Sequence, residues 1–465
     1  MKLAIVGAGW AGMAAAVSAA QSGADITVFE ATRVLGGRAR ALEVRAPNGA
    51  PLILDNGQHI LIGAYSATLG LLQRVGIDPR TSLLRLPLTM PYPDGSGLQT
   101  PSWAAGWPAP LNAVAAIATA RGWAWSDKLA LVRASLAWQR SGFQCPALMT
   151  VAELCVRLPE RVMQELIEPL CVSALNTPVG ESSAQVFLRV MQDALFGQGF
   201  AGLSASDLLL PRADLSQLFP EAASQWLGRQ HGDRVRIHRG ARVNSLAVEG
   251  AQWRLTGEAQ SAPFEQFFDG VIWATAAHPA AQAMRATADQ TGLATASQEA
   301  LRHWADITAA LPFTAITTVY AWSPGARLSS PMLALPALPD AHQAPAQFAF
   351  DRGQMHPHDP GAQGVLAFVV SASEGHRADV QARVLRQAAS QLGVHRLQPL
   401  QTVVDKRATF ACTPGLVRPG MDVVGGLWAA GDYVQGPYPA TLEGAVRSGL
   451  AAAEAACQGL AAHGF

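Results

Sequence analysis

The chain has 465 residues, 49% of them hydrophobic and only 15% charged, which is enough for two or three domains with large cores. Its 34 basic and 34 acidic residues give a net charge of zero, which excludes the basic surface that nucleic-acid binding requires. The low charge and positive mean hydropathy fit a large core, an apolar substrate or a surface patch that faces a membrane. Composition does not choose among these three.

The five cysteines are odd in number and contain no Cys-x-x-Cys pair, which indicates reduced thiols in a cytoplasmic protein. His342, His356 and His358 share one Pro- and Ala-rich stretch, but no carboxylate or cysteine spacing accompanies them, so we expect no metal. The first apolar run follows Met1 closely, so we expect no signal peptide. No window of about eighteen apolar residues predicts a membrane span.

The first thirty residues form a strand–glycine–helix–strand pattern. Gly7, Gly9 and Gly12 give G-x-G-x-x-G between an apolar run and an alanine-rich segment, and the next strand-like run ends in Glu30. Gly7 allows a tight turn, Gly9 lets the backbone approach a pyrophosphate, and Gly12 lets the helix pack on the strand. An acid at the distance of Glu30 can bind ribose hydroxyls. The pattern predicts a dinucleotide site, with strands over residues 3–6 and 25–29 and a helix over 11–22.

A second glycine pair follows in Gly36-Gly37-Arg38. The glycines let the backbone approach a second phosphate face, and the arginine can pair with it through two nitrogen atoms. At this point the chain resembles the flavin amine oxidase and phytoene desaturase superfamily. That resemblance implies FAD and an α/β fold, in which a Rossmann-like FAD-binding domain of the amine oxidase type carries a discontinuous α+β substrate domain.

Four polar residues, Asn56, Gln58, His59 and the preceding Asp55, lie around Gly57 between two apolar runs. Such a loop is either a plain turn or a site that contacts a ligand. In the superfamily the equivalent segment lies against the flavin ring, which implies that Gly57, Gln58 and His59 line it.

The middle of the chain predicts helices and strands of a second domain. Helices are expected over residues 67–76, 151–171, 182–195 and 378–392, strands over 83–98, 313–322 and 365–371, and mostly loop over 331–358. Five tryptophans lie between residues 101 and 140: Trp103, Trp107, Trp123, Trp125 and Trp138. They fit helix packing, a membrane-interface face or the wall of an apolar tunnel.

Two later stretches return to the nucleotide domain. By resemblance, Val243 binds adenine through its backbone and the strand ending near Ala274 closes the middle section of that domain. An apolar strand then ends in Gly431-Asp432, and a helix starts near Thr441 and Leu442, where its N-terminus can face the flavin. We therefore predict an FAD-binding domain of residues 1–78, 230–288 and 412–465, and a substrate domain of residues 79–229 and 289–411.

The string Asp55-Asn56-Gly57-Gln58-His59, followed by Gly63 and Tyr65, resembles the hydroxysqualene dehydroxylase branch of the superfamily. This implies non-covalent FAD, reductive removal of the hydroxyl of hydroxysqualene, a long-chain isoprenoid, and an external electron donor. It also fits peripheral contact with the bacterial inner membrane. Our hypothesis is that His59 donates or relays the proton and that Asp55 orients it. Tyr65, Tyr433 and Tyr438 are the alternative donors.

Three other functions remain open. A carotene-type desaturase needs the same FAD motifs and an apolar tunnel. An amine oxidase usually needs an aromatic cage and a lysine near the flavin, for which Lys406 is the candidate in the later half. A non-catalytic prenyl-lipid carrier would have lost the flavin, which the intact glycine motifs argue against.

Overall fold

A six-stranded sheet in the computed structural model, which describes residues 1–47, 49–290, 292–337 and 343–462, joins three distant parts of the chain. In spatial order its strands are Val235–Arg239, Asp25–Glu30, Lys2–Val6, Gly270–Trp273, Leu427–Ala429 and Asp422–Val424. All neighbours pair in parallel except the last two strands. The first strand of the chain is therefore central, as a strand buried on both faces must be.

Successive residues of the first strand enter two different cores. Leu3 and Ile5 pack with helices Trp10–Gln21, Pro220–His231 and Leu442–Ala462. Ala4 and Val6 point into the second core, which follows from the two-residue period of a strand. That core contains the antiparallel strands Ala241–Glu249, Gln252–Ala259 and Ala262–Phe268 and the helices Ala277–Ala288 and Thr295–Ala309.

A second sheet has five antiparallel strands. Its order is Met332–Ala334, Phe348–Asp351, Val365–Val370, Phe313–Trp322 and Gln398–Phe410. Helix Arg377–Leu392 covers one face, packing Val380 and Val384 on Phe368. The other face turns Phe348 and Phe350 toward the large shared core.

Helices of residues 66–234, which we call the middle segment, close the space between the two sheets, and two short helices lie later in the chain. The longer ones are Ser66–Arg74, Leu111–Thr119, Trp125–Arg140, Glu168–Leu175 and Ala184–Phe196. The shorter ones are Pro79–Ser82, Ser102–Ala104, Val151–Leu154, Glu160–Val162, the π-helical Met163–Ile167, Leu215–Leu218, Gly232–Arg234, Arg352–Met355 and Pro360–Ala362. Short strands complete the fold: Ala41–Arg45 with Pro51–Asp55, Leu208–Pro211 between Leu61–Ile62 and Leu83–Leu86, and Thr89–Pro91 with Gly97–Gln99.

The structure differs from the predicted elements in three places. The single helix expected over residues 151–171 is broken, because Pro159 cannot continue a helix. Residues 331–358, expected to be mostly loop, include two strands of the five-stranded sheet. Helix Pro220–His231 already packs on Trp10–Gln21, so the chain returns to the nucleotide sheet before residue 230. Asn48 and His342 lie outside the described residues.

Candidate active site

A large cavity of about 1190 Å³ lies at the carboxyl edge of the parallel sheet. Val6, Glu30, Ala274 and Gly431 line it, and each ends or closely follows one of four adjacent strands. Open α/β folds bind their ligands at this edge. The topology therefore brings the sequence-predicted nucleotide motifs to one place.

The three motif glycines have three different environments. Gly7 has a φ of +108°, and a Cβ there would lie 2.7 Å from the carbonyl oxygen of Ala274. A Cβ on Gly12 would lie 1.9 Å from the carbonyl oxygen of Gly7, so this glycine lets the helix approach the turn. Gly9 has a φ of −73°, and the nearest atoms to its Cβ would be 3.9 Å away, in Gly36 and Gly37. The protein's own packing needs glycine at positions 7 and 12, whereas the space at Gly9 opens into the cavity.

The carboxylate of Glu30 is fixed at the edge of the cavity. One oxygen accepts a hydrogen bond from the Ala8 N–H at 2.8 Å, and the other accepts from the N–H and the hydroxyl of Thr32, each at 2.8 Å. Val243 also lines the cavity. These positions agree with a site for the adenosine half of a dinucleotide.

The second glycine pair packs against the first glycine loop. Gly36 and Gly37 have φ values of +119° and +62°, and the Gly36 N–H donates to Ala8. Arg38, which was expected to pair with a phosphate through two nitrogen atoms, instead uses Nη1 and Nη2 to bind the carbonyl oxygen of Ala408 and the carboxylate of Asp432. Two motifs separated by nearly the whole chain therefore meet as an ion pair in the cavity wall.

The last helix begins at the cavity. Its first residue, Leu442, and the preceding Thr441 both line the cavity, and the Thr441 hydroxyl accepts a hydrogen bond from the Gly444 N–H at 2.9 Å. The N-terminus of this helix thus brings its partial positive charge to the cavity.

Gly57, Gln58 and His59, the residues that we expect to contact the flavin ring, also line the cavity. Gln58 Oε1 is buried without a hydrogen-bond partner among the described residues. His59 Nδ1 lies 2.9 Å from the Gly57 carbonyl oxygen, which can only accept, so Nδ1 carries the proton and Nε2 is an acceptor. Burial, with the Arg38 charge adding to it, lowers the pKa of His59. The imidazole is therefore neutral near pH 7, which is a poor state for the predicted proton donor.

Asp55 does not orient His59. One of its oxygen atoms accepts from the Leu215 N–H at 2.8 Å, and the other lies 3.9 Å from Arg352 Nη1. Asp55 is not among the described residues that line the cavity. Burial raises the pKa of Asp55 to about 7 despite the nearby Arg352. The prediction failed because the strand that ends at Asp55 turns this side chain into the core.

The three candidate tyrosines are separated by the fold. Tyr65 lines the cavity, and burial raises its pKa, so it keeps its proton. The Tyr433 hydroxyl is buried without a partner among the described residues and outside the cavity lining. Tyr438 lies under the guanidinium groups of Arg189 and Arg447, at 5.2 and 4.8 Å.

Sequence reasoning missed several polar contributors to the lining, among them Asp405, Thr409 and Asn176. Asp405 and Thr409 come from strand Gln398–Phe410, beside the Arg38 loop. Asn176 also lines the cavity, and its side-chain Nδ2 donates to Thr409 Oγ1 at 3.0 Å. Its φ of +48° at a helix end is a common structural use of asparagine, so no sequence signal separated it from an ordinary cap.

The far wall of the cavity is apolar and helical. It includes Ile117, Leu131, Trp138, Leu166, Leu170 and Met191. Five middle-segment helices supply these six residues. An apolar cavity with a few polar groups at one end fits a long hydrocarbon with one reacting position.

One family model matches nearly the whole chain. The family model described as flavin containing amine oxidoreductase matches residues 10–457. The chain belongs to this family.

Two relatives match over their full length. Hydroxysqualene dehydroxylase of Sinorhizobium fredii is 26% identical, with 97% of each chain covered. Hydroxysqualene dehydroxylase of Rhodopseudomonas palustris is 27% identical, again with 97% of each chain covered. This flavin amine oxidoreductase therefore resembles that branch from one end to the other.

Solved structures confirm the fold. An oxidoreductase from Methanosarcina mazei superposes with a TM-score of 0.70 at 15% identity, covering 98% of this chain and all of the other. Cyclohexylamine oxidase from Brevibacterium oxydans superposes with a TM-score of 0.64 at 18% identity, covering 98% of both chains. The predicted α/β fold with an FAD-binding domain is confirmed.

The protein is an FAD-dependent oxidoreductase, and the cavity fits that cofactor. The space at Gly9 admits a pyrophosphate, the helix N-terminus at Thr441 faces the cavity, and the unpartnered Gln58 Oε1 offers an acceptor. No group of three or more metal-ligating side chains occurs in the described residues. In the same part of the chain, no helix has the length and hydropathy to cross a bilayer.

Proposed function

We propose that this chain catalyses the reductive dehydroxylation of hydroxysqualene to squalene and water. The observation that carries the proposal is the full-length similarity to two proteins named hydroxysqualene dehydroxylase. Relatives named for carotenoid chemistry match only short stretches, such as 21% of this chain for carotenoid phi-ring synthase of Streptomyces griseus. The desaturase alternative therefore has weaker support.

The cavity is consistent with this substrate. Its polar end combines the FAD motifs with His59, and its far wall is built from apolar side chains such as Ile117, Leu131 and Met191. A long isoprenoid would lie along that wall with its hydroxyl-bearing carbon at the polar end. The apolar walls would also keep water from a cation-like carbon, which would otherwise recapture a hydroxyl.

The reaction breaks one C–O bond, forms one C–H bond and releases the hydroxyl as water with one proton. Bound FAD, reduced by an external electron donor, supplies the hydride. We propose that neutral His59 holds the substrate hydroxyl through Nε2, because its Nδ1 proton is bonded to Gly57. We assign the proton donor to Tyr65, the tyrosine of the three candidates that lines the cavity.

The amine oxidase alternative has no support from the cavity. Lys406, the lysine that sequence reasoning offered for it, is exposed and is not among the described residues that line the cavity. The structural similarity to amine oxidases is at 18% identity or less and describes the fold alone.

The test mixes anaerobically reduced protein with hydroxysqualene and measures squalene together with the return of oxidised flavin absorbance. We expect both, and we expect a much slower reaction in Tyr65→Phe than in the exposed-site control Lys406→Ala. Incubation of the oxidised protein with phytoene tests the desaturase reading. Conversion of phytoene with no squalene from hydroxysqualene would reject the proposal.

A further inference from the structure

Exposed apolar side chains concentrate in one part of the fold. Of the thirteen exposed large hydrophobic side chains in the described residues, seven lie between positions 103 and 136. We call these seven the outer face: Trp103, Trp107, Leu111, Val114, Trp125, Leu129 and Leu136. Trp125 and Trp103 expose 70% and 60% of their surface. A cluster of this kind on a monomer marks an interaction surface.

The elements that carry the outer face lie next to one another. Its residues come from three helices, Ser102–Ala104, Leu111–Thr119 and Trp125–Arg140, and from the loop between the first two. The first helix contacts the second, and the second contacts the third. The Trp103 and Trp107 rings lie 5.1 Å apart. On the longer helix, Trp125, Leu129 and Leu136 recur at intervals of four and seven residues, which places them on one side.

The same two helices form part of the cavity wall with their opposite side. Ala113 and Ile117 of the shorter helix and Leu131, Ser135 and Trp138 of the longer one line the cavity. A single layer of helices therefore separates the apolar part of the cavity from the outer face.

The charged residues of the segment that carries the outer face are mostly basic. Between residues 101 and 148 the basic residues are Arg121, Lys128, Arg133 and Arg140, and the acidic residue is Asp127. Asp127 is engaged at the start of its helix, where it accepts a hydrogen bond from the Ala124 N–H at 3.0 Å. The Lys128 ammonium group lies 5.0 Å from the Trp125 ring. Long basic side chains beside tryptophan are the combination that binds the headgroup region of an anionic bilayer.

The charge pattern disfavours a second copy of the chain as the partner. A two-fold dimer would place the same patch opposite itself, so that four basic residues would face four others. Like charges facing across an interface oppose association. An anionic lipid surface accepts both the apolar side chains and the positive charges.

We propose that the outer face docks this protein on the surface of an anionic lipid bilayer, with the apolar wall of the cavity toward the membrane. In this orientation hydroxysqualene would enter the cavity from the membrane side. That entry rests on the proposed function, whereas docking on the bilayer does not. Three exposed tryptophans supply the interfacial side chains.

The test is co-sedimentation of the flavin-loaded protein with vesicles of phosphatidylglycerol and phosphatidylcholine, compared with phosphatidylcholine alone. We expect binding to the anionic vesicles that weakens with salt. Two double variants, Trp125→Ser with Leu129→Ser and Arg133→Glu with Arg140→Glu, should each lower the partition coefficient by about tenfold or more. Matched controls are Phe267→Ser with Val417→Ser and Arg377→Glu with Arg386→Glu, which change exposed residues elsewhere and should bind as the wild type does.

Flavin absorbance and the melting temperature confirm that each variant is folded. Turnover of detergent-dispersed hydroxysqualene should be the same in the wild type and the outer-face variants, since none of the altered residues lines the cavity. Vesicle binding without squalene formation would reject the proposed function and leave docking intact. Wild-type protein that fails to bind anionic vesicles, or outer-face variants that bind as the wild type does, would overturn the docking proposal. A wild-type dimer in solution that Trp125→Ser with Leu129→Ser dissociates would overturn it as well.

Discussion

Two alanine substitutions in the first glycine motif should affect different properties of the protein. Gly12→Ala should lower its stability, and Gly9→Ala should lower its affinity for FAD. Gly12→Ala puts a Cβ 1.9 Å from the carbonyl oxygen of Gly7 and 3.2 Å from the Ala274 Cβ. A contact of 1.9 Å with backbone cannot be relieved by a side-chain rotation, so the helix must move away from the turn. Overpacking of this kind typically costs about 1–3 kcal/mol, and this contact belongs at the upper end.

Gly9→Ala meets no such obstacle in the protein itself. Its φ of −73° suits alanine, and the nearest atoms to the new Cβ are at the ordinary contact distance of 3.9 Å. The loss of glycine flexibility in the unfolded chain and the weaker helix cap roughly cancel, so stability should change by less than about 1 kcal/mol. The methyl group would project into the cavity where we place the pyrophosphate. We expect the Kd for FAD to rise by about 100-fold or more, or about 2.7 kcal/mol.

The assay separates the two effects on protein from which the flavin has been removed. Urea unfolding gives the stability of each variant without cofactor, and titration with FAD, followed by quenching of flavin fluorescence, gives its affinity. Gly12→Ala should lose stability in the first experiment, and Gly9→Ala should lose affinity in the second. If Gly9→Ala binds FAD as the wild type does, or if it destabilises the flavin-depleted protein as much as Gly12→Ala, the pyrophosphate does not lie at Gly9.

Three other predictions concern ionisable groups. If neutral His59 accepts the substrate hydroxyl, the rate of flavin reoxidation by hydroxysqualene should fall only as the pH drops through the lowered pKa of His59; a rate that instead falls as the pH rises through that pKa would identify His59 as the proton donor. Asp55 binds a proton more tightly in the folded state, where its pKa is about 7, than in the unfolded chain, where it is about 3.9, so it costs stability as the pH rises between these values. As the pH rises from 4 to 8, the free energy of unfolding of Asp55→Asn should therefore increase relative to that of the wild type by up to about 4 kcal/mol. Urea unfolding measures both pH profiles, and parallel profiles would contradict this expectation. Glu443→Ala removes a buried carboxylate that accepts hydrogen bonds from the N–H groups of Ala67 and Thr68 and from Arg447. In urea unfolding this variant should lose about 3 kcal/mol of stability. The control Glu454→Ala changes an exposed residue of the same helix and should lose less than about 0.5 kcal/mol.

The nucleotide motifs were predictable because their constraints are local. The strand, turn and helix of residues 2–21 follow from an apolar run, three glycines and an alanine-rich segment within one short stretch. The partners of Asp55 were not predictable in this way. Leu215 and Arg352 lie 160 and 297 positions further along the chain, and only the folded chain brings them to the end of strand Pro51–Asp55. Residues 331–358 show the same limit, since strand Phe348–Asp351 forms by pairing with Val365–Val370 rather than from its own composition.

The tryptophans of residues 101–140 show why composition left several interpretations open. Trp123 and Trp138 are buried, as helix packing predicts, and Trp138 also lines the cavity. Trp103, Trp107 and Trp125 are exposed. Helix packing and the cavity wall therefore both apply to Trp138, whereas the membrane-interface interpretation stays a prediction for the exposed tryptophans.

The polar end of the cavity favours an alcohol over a hydrocarbon as the substrate. His59 has an acceptor at Nε2, because its Nδ1 proton is held by Gly57. A purely hydrocarbon substrate that displaced water from this nitrogen would leave it without a donor, at a cost of about 1–3 kcal/mol. The hydroxyl of hydroxysqualene would restore the hydrogen bond and be held by it beside the FAD motifs. The shape of the cavity is compatible with desaturation or dehydroxylation, so the difference between the two reactions rests on this one acceptor more than on the apolar wall.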